Sequence, residues 1–185
     1  HEPEDQAAPW KLFIHHSPRT PCHYFVRYAT SQDGLHWEWK TTTKNKVYAK
    51  LHDRMTAMLD RENAEYPFLL FGRSSLSRDY PLLYSNRISV REVFQTRLSA
   101  DGRKTLGNPT VTLRPDLEDP PDVEFYHMSA FRYASMYIGT LMIYHVDDPP
   151  SSEVQLVTSR DLKNWERVRP RQAFIPASLP EGRRH

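Results

Sequence analysis

The stretch Ser31-Gln32-Asp33-Gly34-Leu35-His36-Trp37 sets the fold prediction, because its pattern returns twice further along the chain. Residues 99–105 and 159–165 also fit Ser-x-Asp-x-x-x followed by Trp or Thr. Ser and Asp side chains bond back to the local backbone and hold a turn, while Gly suits a positive φ angle. A Trp at the end of the motif begins the next strand and buries a large apolar face. A structural role is therefore predicted for Asp33, Asp101 and Asp161.

Short apolar runs rich in aromatic and β-branched residues precede the turn motifs, at Trp10–Ile14, Tyr66–Phe71 and Tyr137–Tyr144. Turn residues bound these runs, which is typical of strands. Further strands are predicted at Met55–Leu59 and Tyr126–Arg132, and each turn motif is flanked by a third and an outer strand. Four antiparallel strands in roughly 60 residues predict an all-β fold built of β-propeller blades. A β-sandwich is the alternative, since it also has short strands at regular spacing.

The composition indicates a folded domain and excludes several classes. Of the 185 residues, 38% are hydrophobic and 12% aromatic, which is too many for a disordered chain, and 15 prolines argue against helices. No apolar run reaches the roughly 18 residues of a membrane span, so no membrane partner is expected. A net charge of +2 predicts no nucleic-acid partner. The single cysteine, Cys22, excludes an internal disulfide framework and a multi-cysteine zinc site.

Two carboxylates take equivalent places in the repeat. Asp53 and Glu124 precede Tyr66 and Tyr137 by the same number of residues, at the head of the first strand of a unit. In a propeller that strand lines the central channel. The same offset before Trp10 falls outside the chain, which predicts that the chain begins inside a blade. Residues 1–185 are thus expected to form one partial propeller domain of about two and a half to three blades, with repeats ending near residues 40, 110 and 175.

Residues 28–37 resemble the blade-closing motif of five-bladed propeller glycosidases, the superfamily that holds glycoside hydrolase families 32, 43, 62 and 68. Residues 119–126 and 154–176 are similar to segments of uncharacterised bacterial members, and the likeness extends from Trp10 to Pro176. It implies a five-bladed fold and hydrolysis of glycosidic bonds. Such enzymes use three carboxylates on successive innermost strands: an Asp nucleophile or base, a supporting Asp and a Glu acid.

The resemblance implies that Asp53 and Glu124 are two of these three carboxylates, with the first lying before His1. Glycoside hydrolysis needs one ionised and one protonated carboxyl group across the scissile bond. Asp122 is a further catalytic candidate, because residues two apart in a strand share a face, here with Glu124 and Tyr126. For Asp53 the alternative is a solvated turn beside Arg54.

The candidates for substrate binding are aromatic and basic. Tyr126 and His127 are expected on opposite faces of one strand, where either could contact a sugar. Arg73 and Arg91 are expected to follow strands near the channel mouth, where they could bind hydroxyls or a carboxylate, or form surface ion pairs. His145 is interpreted as a packing or rim residue. Solvated positions are predicted for Arg167, Arg169, Arg171, Arg183 and Arg184.

The first functional hypothesis is a glycoside hydrolase that acts on an oligo- or polysaccharide. The alternatives are a non-catalytic carbohydrate-binding propeller and a protein-interaction scaffold. Neither a cofactor nor a metal is predicted, because the nine histidines show no ligand spacing and there is no Gly-rich phosphate loop. The location is left open, with an extracellular or periplasmic site favoured over the cytoplasm, and the oligomeric state is unassigned.

Overall fold

A computed structural model describes residues 1–16, 25–41, 51, 54–75, 90–146 and 149–177. All regular elements among these residues are β-strands, which confirms the all-β prediction. None of the described residues belongs to a helix long and apolar enough to cross a membrane. The strands are β1 (Trp10–His16), β2 (Phe25–Ser31), β3 (Glu38–Trp39), β4 (Thr56–Leu59), β5 (Phe68–Ser75), β6 (Arg91–Leu98), β7 (Thr110–Leu113), β8 (Val123–Tyr133), β9 (Met136–His145), β10 (Ser151–Ser159), β11 (Trp165–Arg167) and β12 (Ala173–Ile175).

Strands that follow one another in sequence are neighbours in three sheets. The orders are β1-β2-β3, β4-β5-β6-β7 and β8-β9-β10-β11, and β12 also pairs with β10. The second and third sheets therefore have the four-strand order predicted for one repeat unit. Their hairpins form as expected: residues 60–67 join β4 to β5, and Ala134 and Ser135 join β8 to β9.

The chain packs as two compact units, one of residues 1–71 and 95–110, the other of residues 72–94 and 111–185. Strand β9 shows why the second unit forms a sheet with a core. Buried residues alternate with half-buried ones along it, as the two-residue period of a strand requires. The buried side chains of this unit include Phe125, Met128, Leu141, Ile143 and Val157, and those of the first unit include Phe25, Tyr28, Phe68, Leu70 and Phe71.

The three Ser-x-Asp motifs form the predicted turns. In the first, the Asp33 carboxylate accepts hydrogen bonds from the backbone N–H groups of Leu35 and His36, both at 2.8 Å. The His36 side chain and these N–H groups hold the pKa of Asp33 well below its usual range. In the third turn, two backbone N–H groups likewise lower the pKa of Asp161. Both aspartate carboxylates therefore accept hydrogen bonds from the backbone of their own turns, which confirms their structural role.

Glycine takes the positive φ position in two of these turns, at Gly34 (79°) and Gly102 (67°). The third turn has Leu162 there, with a φ of 60°. A left-handed conformation costs a leucine about 1 kcal/mol or more. The Leu162 side chain is buried, so the apolar area it removes from water offsets this strain.

Replacing Gly102 by alanine is expected to destabilise the protein by about 2–4 kcal/mol. An added Cβ would lie 2.2 Å from Cδ1 of the buried Tyr28 ring. Gly107→Ala is the matched control, because Gly107 has the same φ of 67° but no described atom within 4 Å of its Cβ position. That variant carries backbone strain alone and should lose about 1 kcal/mol. Urea unfolding of both variants gives the comparison, and equal losses would contradict the clash.

Three arginines near the end of the chain hold the segment that precedes β8. The pairs are Arg167–Asp119, Arg169–Glu118 and Arg171–Asp116. The first pair is buried, with side chains 6% and 3% exposed, and Arg171 holds the pKa of Asp116 down at about 2. The prediction of solvated charge is therefore wrong for Arg167 and Arg171, because acidic partners far away in sequence neutralise them. Arg183 and Arg184 lie outside the described residues.

Candidate functional site

Glu124 is the second residue of β8, and its side chain is almost fully buried. Its Oε2 accepts a charge-assisted hydrogen bond from Nη1 of Arg91, the first residue of β6. The Arg91 side chain stays partly exposed. The pair therefore joins a buried carboxylate to a guanidinium that solvent can reach.

Two tyrosines and a second arginine surround this pair. The guanidinium carbon of Arg73 lies 4.2 Å from the ring centroid of Tyr126, and that of Arg91 lies 5.3 Å from the same centroid. The rings of Tyr126 and Tyr144 are tilted by 51°, with centroids 5.2 Å apart. Guanidinium groups at such distances are attracted to aromatic faces. We call Glu124, Arg73, Arg91, Tyr126 and Tyr144 the Glu124 cluster; all five belong to the second unit.

Tyr126 reaches the cluster because it occupies a β-bulge. In the pairing of β8 with β9, Phe125 lies opposite Ile143 and His127 lies opposite Met142, so Tyr126 is the extra residue. A bulge places two residues of one strand against one of its partner and interrupts the regular alternation of side chains. The buried residues Phe125 and Met128 are accordingly three apart rather than two.

Because of the bulge, the side chains of β8 are distributed over its two faces differently from the prediction. Glu124 lies opposite Tyr144, and His127 lies opposite Met142, which is two residues from Tyr144 and so on the same face. The ring of Tyr126 contacts Tyr144 and lies on this face too. The prediction that Tyr126 and His127 point to opposite faces is therefore wrong, because it assumed unbroken alternation.

Asp122 lies in the turn before β8 rather than in the strand. Its Oδ2 is 2.8 Å from Nδ1 of His145, the last residue of β9. His145 is two residues from the buried Ile143 and one from Tyr144, so it belongs to the face opposite the Glu124 cluster. The prediction that Asp122 shares a face with Glu124 is therefore wrong, since the pattern of a strand does not hold at Asp122.

The other predicted residues are distributed as follows. Arg73 lies within β5 and Arg91 begins β6, so neither follows its strand as predicted, although both reach the Glu124 cluster. His127 is half-buried on the same face of β8 as Glu124. Asp53, the predicted partner of Glu124, and Cys22 lie outside the described residues.

Sequence analysis did not single out Tyr144. The two-residue turn between β8 and β9 could have located it, because such a turn fixes the register of a hairpin. Counting back from the pair Tyr133–Met136 without a bulge, however, places Phe125 rather than Glu124 opposite Tyr144. The position of Glu124 opposite Tyr144 therefore depends on the bulge.

A second buried carboxylate is that of Glu92, which follows Arg91 in β6. Burial raises the pKa of Glu92 to about 7, and Arg114, whose Nε lies 3.1 Å from Glu92 Oε2, opposes that rise only in part. Because the pKa is higher in the folded state than in the unfolded chain, folding favours the protonated form. The resulting stability is present below about pH 4.5 and is lost as the pH rises through about 7.

Glu92→Gln is expected to stabilise the protein at about pH 8 by about 2 kcal/mol, and to change little at about pH 4.5. The amide keeps the shape of the protonated acid and cannot ionise. Chemical unfolding of both proteins across this range tests the expectation. Glu118→Gln is the control, because Arg169 lowers the pKa of the exposed Glu118 and its neutralisation should bring no gain. Parallel stability curves for wild type and Glu92→Gln would contradict the prediction.

No protein-family model matches the chain, and no curated protein matches its sequence. Solved structures do resemble it. An N-acetylgalactosamine deacetylase from F. plautii, in complex with blood group B trisaccharide, has a TM-score of 0.63 at 18% identity, over 93% of this chain and 51% of that one. A sucrose-6-phosphate hydrolase from Lactobacillus gasseri has a TM-score of 0.56 at 14% identity, over 85% and 30%. A family GH32 β-fructofuranosidase from Bombyx mori has a TM-score of 0.60 at 16% identity, over 85% and 31%.

At 14–18% identity, this likeness concerns the fold alone. The shared fold agrees with the resemblance found in the sequence. The chain spans about half the length of the deacetylase and 30–31% of the two hydrolases. The number of blades stays a prediction.

Proposed function

We propose that the protein is glycoside hydrolase-like, and that it binds a carbohydrate at the Glu124 cluster and hydrolyses a glycosidic bond there. The observation that carries the proposal is the buried Glu124 carboxylate, held by Arg91 beside the rings of Tyr126 and Tyr144. Glycosidases act through carboxyl groups that flank the scissile bond. Aromatic rings offer an apolar surface to a sugar, and guanidinium groups donate hydrogen bonds to its oxygens. Two of the structural neighbours are named as a sucrose-6-phosphate hydrolase and a family GH32 β-fructofuranosidase.

In the proposed reaction, Glu124 protonates the leaving oxygen while a water molecule replaces it at the sugar carbon and loses a proton to a carboxylate base. The catalytic role of Asp53, which lies outside the described residues, stays a prediction. A guanidinium can only donate hydrogen bonds, so Glu124 is the acceptor while it is paired with Arg91. Sugar binding would draw Arg91 to a substrate hydroxyl and leave Oε2 of Glu124 to contact the leaving oxygen. Arg73 and His127 are proposed to contact the substrate. The catalytic role of Asp122 stays a prediction, and its contact with His145 lies on the face opposite the Glu124 cluster.

The second candidate is carbohydrate binding without hydrolysis. The ion pair between Arg91 and Glu124 specifically favours it, because Arg91 already occupies the carboxylate oxygen that a general acid would use. Both side chains would then bind sugar hydroxyls, with the carboxylate as acceptor and the guanidinium as donor.

The test separates turnover from binding. The protein is incubated with sucrose and with oligosaccharides ending in galactose or N-acetylgalactosamine, the kinds of sugar that its structural neighbours suggest. Release of reducing ends measures hydrolysis, and ligand-observed NMR measures binding. Hydrolysis of one of these sugars supports the first proposal, and binding without hydrolysis supports the second. If the protein neither binds nor cleaves any of them, both proposals are contradicted.

A further inference from the structure

A cavity of about 310 Å³ lies in the second unit on the face of the third sheet opposite the Glu124 cluster. Among its lining residues are His145, from β9, and Glu153, from β10. Glu153 lies opposite Ile143, which is two residues from His145, so the two side chains share a face at diagonal positions. Diagonal neighbours across an antiparallel pair are about 7–8 Å apart, within reach of one small ligand.

A chain of hydrogen bonds fixes Glu153. Nε and Nη2 of Arg167 donate to Oε1 of Gln155 at 3.1 and 2.8 Å, and Nε2 of Gln155 donates to Oε1 of Glu153 at 2.7 Å. Because a guanidinium can only donate, the orientation of the Gln155 amide is determined. One oxygen of Glu153 is therefore occupied, and the other has no partner among the residues that the structure describes.

His145 is fixed in a similar way. The Asp122 carboxylate can only accept a hydrogen bond, so Nδ1 of His145 carries the proton that joins them. In the neutral ring, Nε2 then has the lone pair. No hydrogen bond to Nε2 is found within the described part of the chain. The cavity therefore offers two acceptor atoms, one on Glu153 and one on His145.

The arginine side chains that line the cavity already donate to partners of their own. Each of the three arginines there, Arg167, Arg169 and Arg171, is bound to its own carboxylate. Glu153 is the carboxylate lining the cavity that no described arginine neutralises. The site thus combines two open acceptors with one carboxylate whose charge a bound cation would neutralise.

We propose that this cavity binds a small organic ammonium group, on a molecule about the size of one hexosamine ring. An ammonium group has donors and a positive charge and no lone pair to satisfy, whereas a neutral hydroxyl would also need a free donor. A metal ion fits less well, because no group of three or more ligands is found among the described residues. The inference does not depend on hydrolysis at Glu124.

The probe is D-glucosamine at neutral pH, with D-glucose as the uncharged molecule of nearly the same shape. NMR titration of the wild-type protein should give a millimolar Kd for glucosamine and at least about 10-fold weaker binding for glucose. Glu153→Gln should weaken glucosamine binding at least about 10-fold, because it removes the charge but keeps the size. Glu166→Gln, at an exposed residue of β11, is the matched control and should bind as wild type does.

His145→Gln is the second variant and should also weaken binding. Glu124→Gln should leave glucosamine binding unchanged, which separates this site from the proposed hydrolytic one. Equal binding of glucose and glucosamine, unchanged binding by Glu153→Gln and His145→Gln, or no binding of glucosamine to the wild type would each overturn the proposal. Weaker glucosamine binding by Glu124→Gln would also overturn it, since the probe would then occupy the Glu124 cluster.

Discussion

Glu124→Gln is expected to lower the rate of glycoside hydrolysis by about 10²–10⁴-fold. The amide has the shape of the carboxyl group but can neither deliver a proton nor carry the charge that the reaction needs. It can still accept the hydrogen bond from Arg91, so the fold should hold and carbohydrate binding should change little. The loss should therefore appear in kcat, with KM nearly unchanged, on the best substrate found.

Glu118→Gln is the matched control for this experiment. Glu118 also pairs with an arginine in the second unit, but both side chains of that pair are largely exposed, at 66% for Arg169 and 53% for Glu118. Its hydrolytic rate should equal that of the wild type. Full activity of Glu124→Gln would remove this residue from the reaction, and far-UV circular dichroism would exclude misfolding as the cause of any loss.

Arg167→Met is expected to destabilise the protein by about 3–5 kcal/mol, the largest loss of stability that we predict. The substitution removes the cation bonded to the buried Asp119 carboxylate and leaves only Nη1 of Arg171, 3.8 Å from its Oδ1. It also removes both donors to Gln155 and the guanidinium that lies 5.1 Å from the ring centroid of Phe125. Urea unfolding at neutral pH gives the free energy difference.

Arg169→Met provides the comparison, because Arg169 and Arg167 tie the same two segments together with the same chemistry. The exposed pair gains little from its attraction in water, so this loss should stay below about 1 kcal/mol. Combining Arg167→Met with Asp119→Asn should recover part of the loss, since no uncompensated charge then remains. Similar losses in the two single variants would show that burial of the Arg167 pair does not matter.

The features predicted correctly from sequence are local ones. The Ser-x-Asp turns are determined by side chains that bond to a backbone a few residues away, and Gly34 and Gly102 supply the φ angles that these turns need. The strands and hairpins follow from short apolar runs between turn residues. The strands and the turn of one hairpin lie close together in sequence, so their positions can be predicted from those residues alone.

The features that sequence reasoning missed depend on residues far apart in the chain or on small irregularities. Nothing near Arg167 in sequence indicates that Asp119 will neutralise it, so the arginine was expected in solvent. The bulge at Tyr126 has no glycine or proline to mark it, and a regular alternation placed Asp122 and His127 wrongly. Glu124 and Arg91 were both candidates, but their contact required the sheet order.

The register of β8 matters as much as its composition. If Tyr126 entered the ladder with β9 instead of bulging from it, the residues before it would each pair one position further along β9. The part of the strand before that point would then turn by half a period, which brings Phe125 opposite Tyr144 and carries Glu124 among the apolar side chains around Ile143. One bulged residue therefore separates a strand that presents an acid to Arg91 from one that would enclose it among apolar side chains.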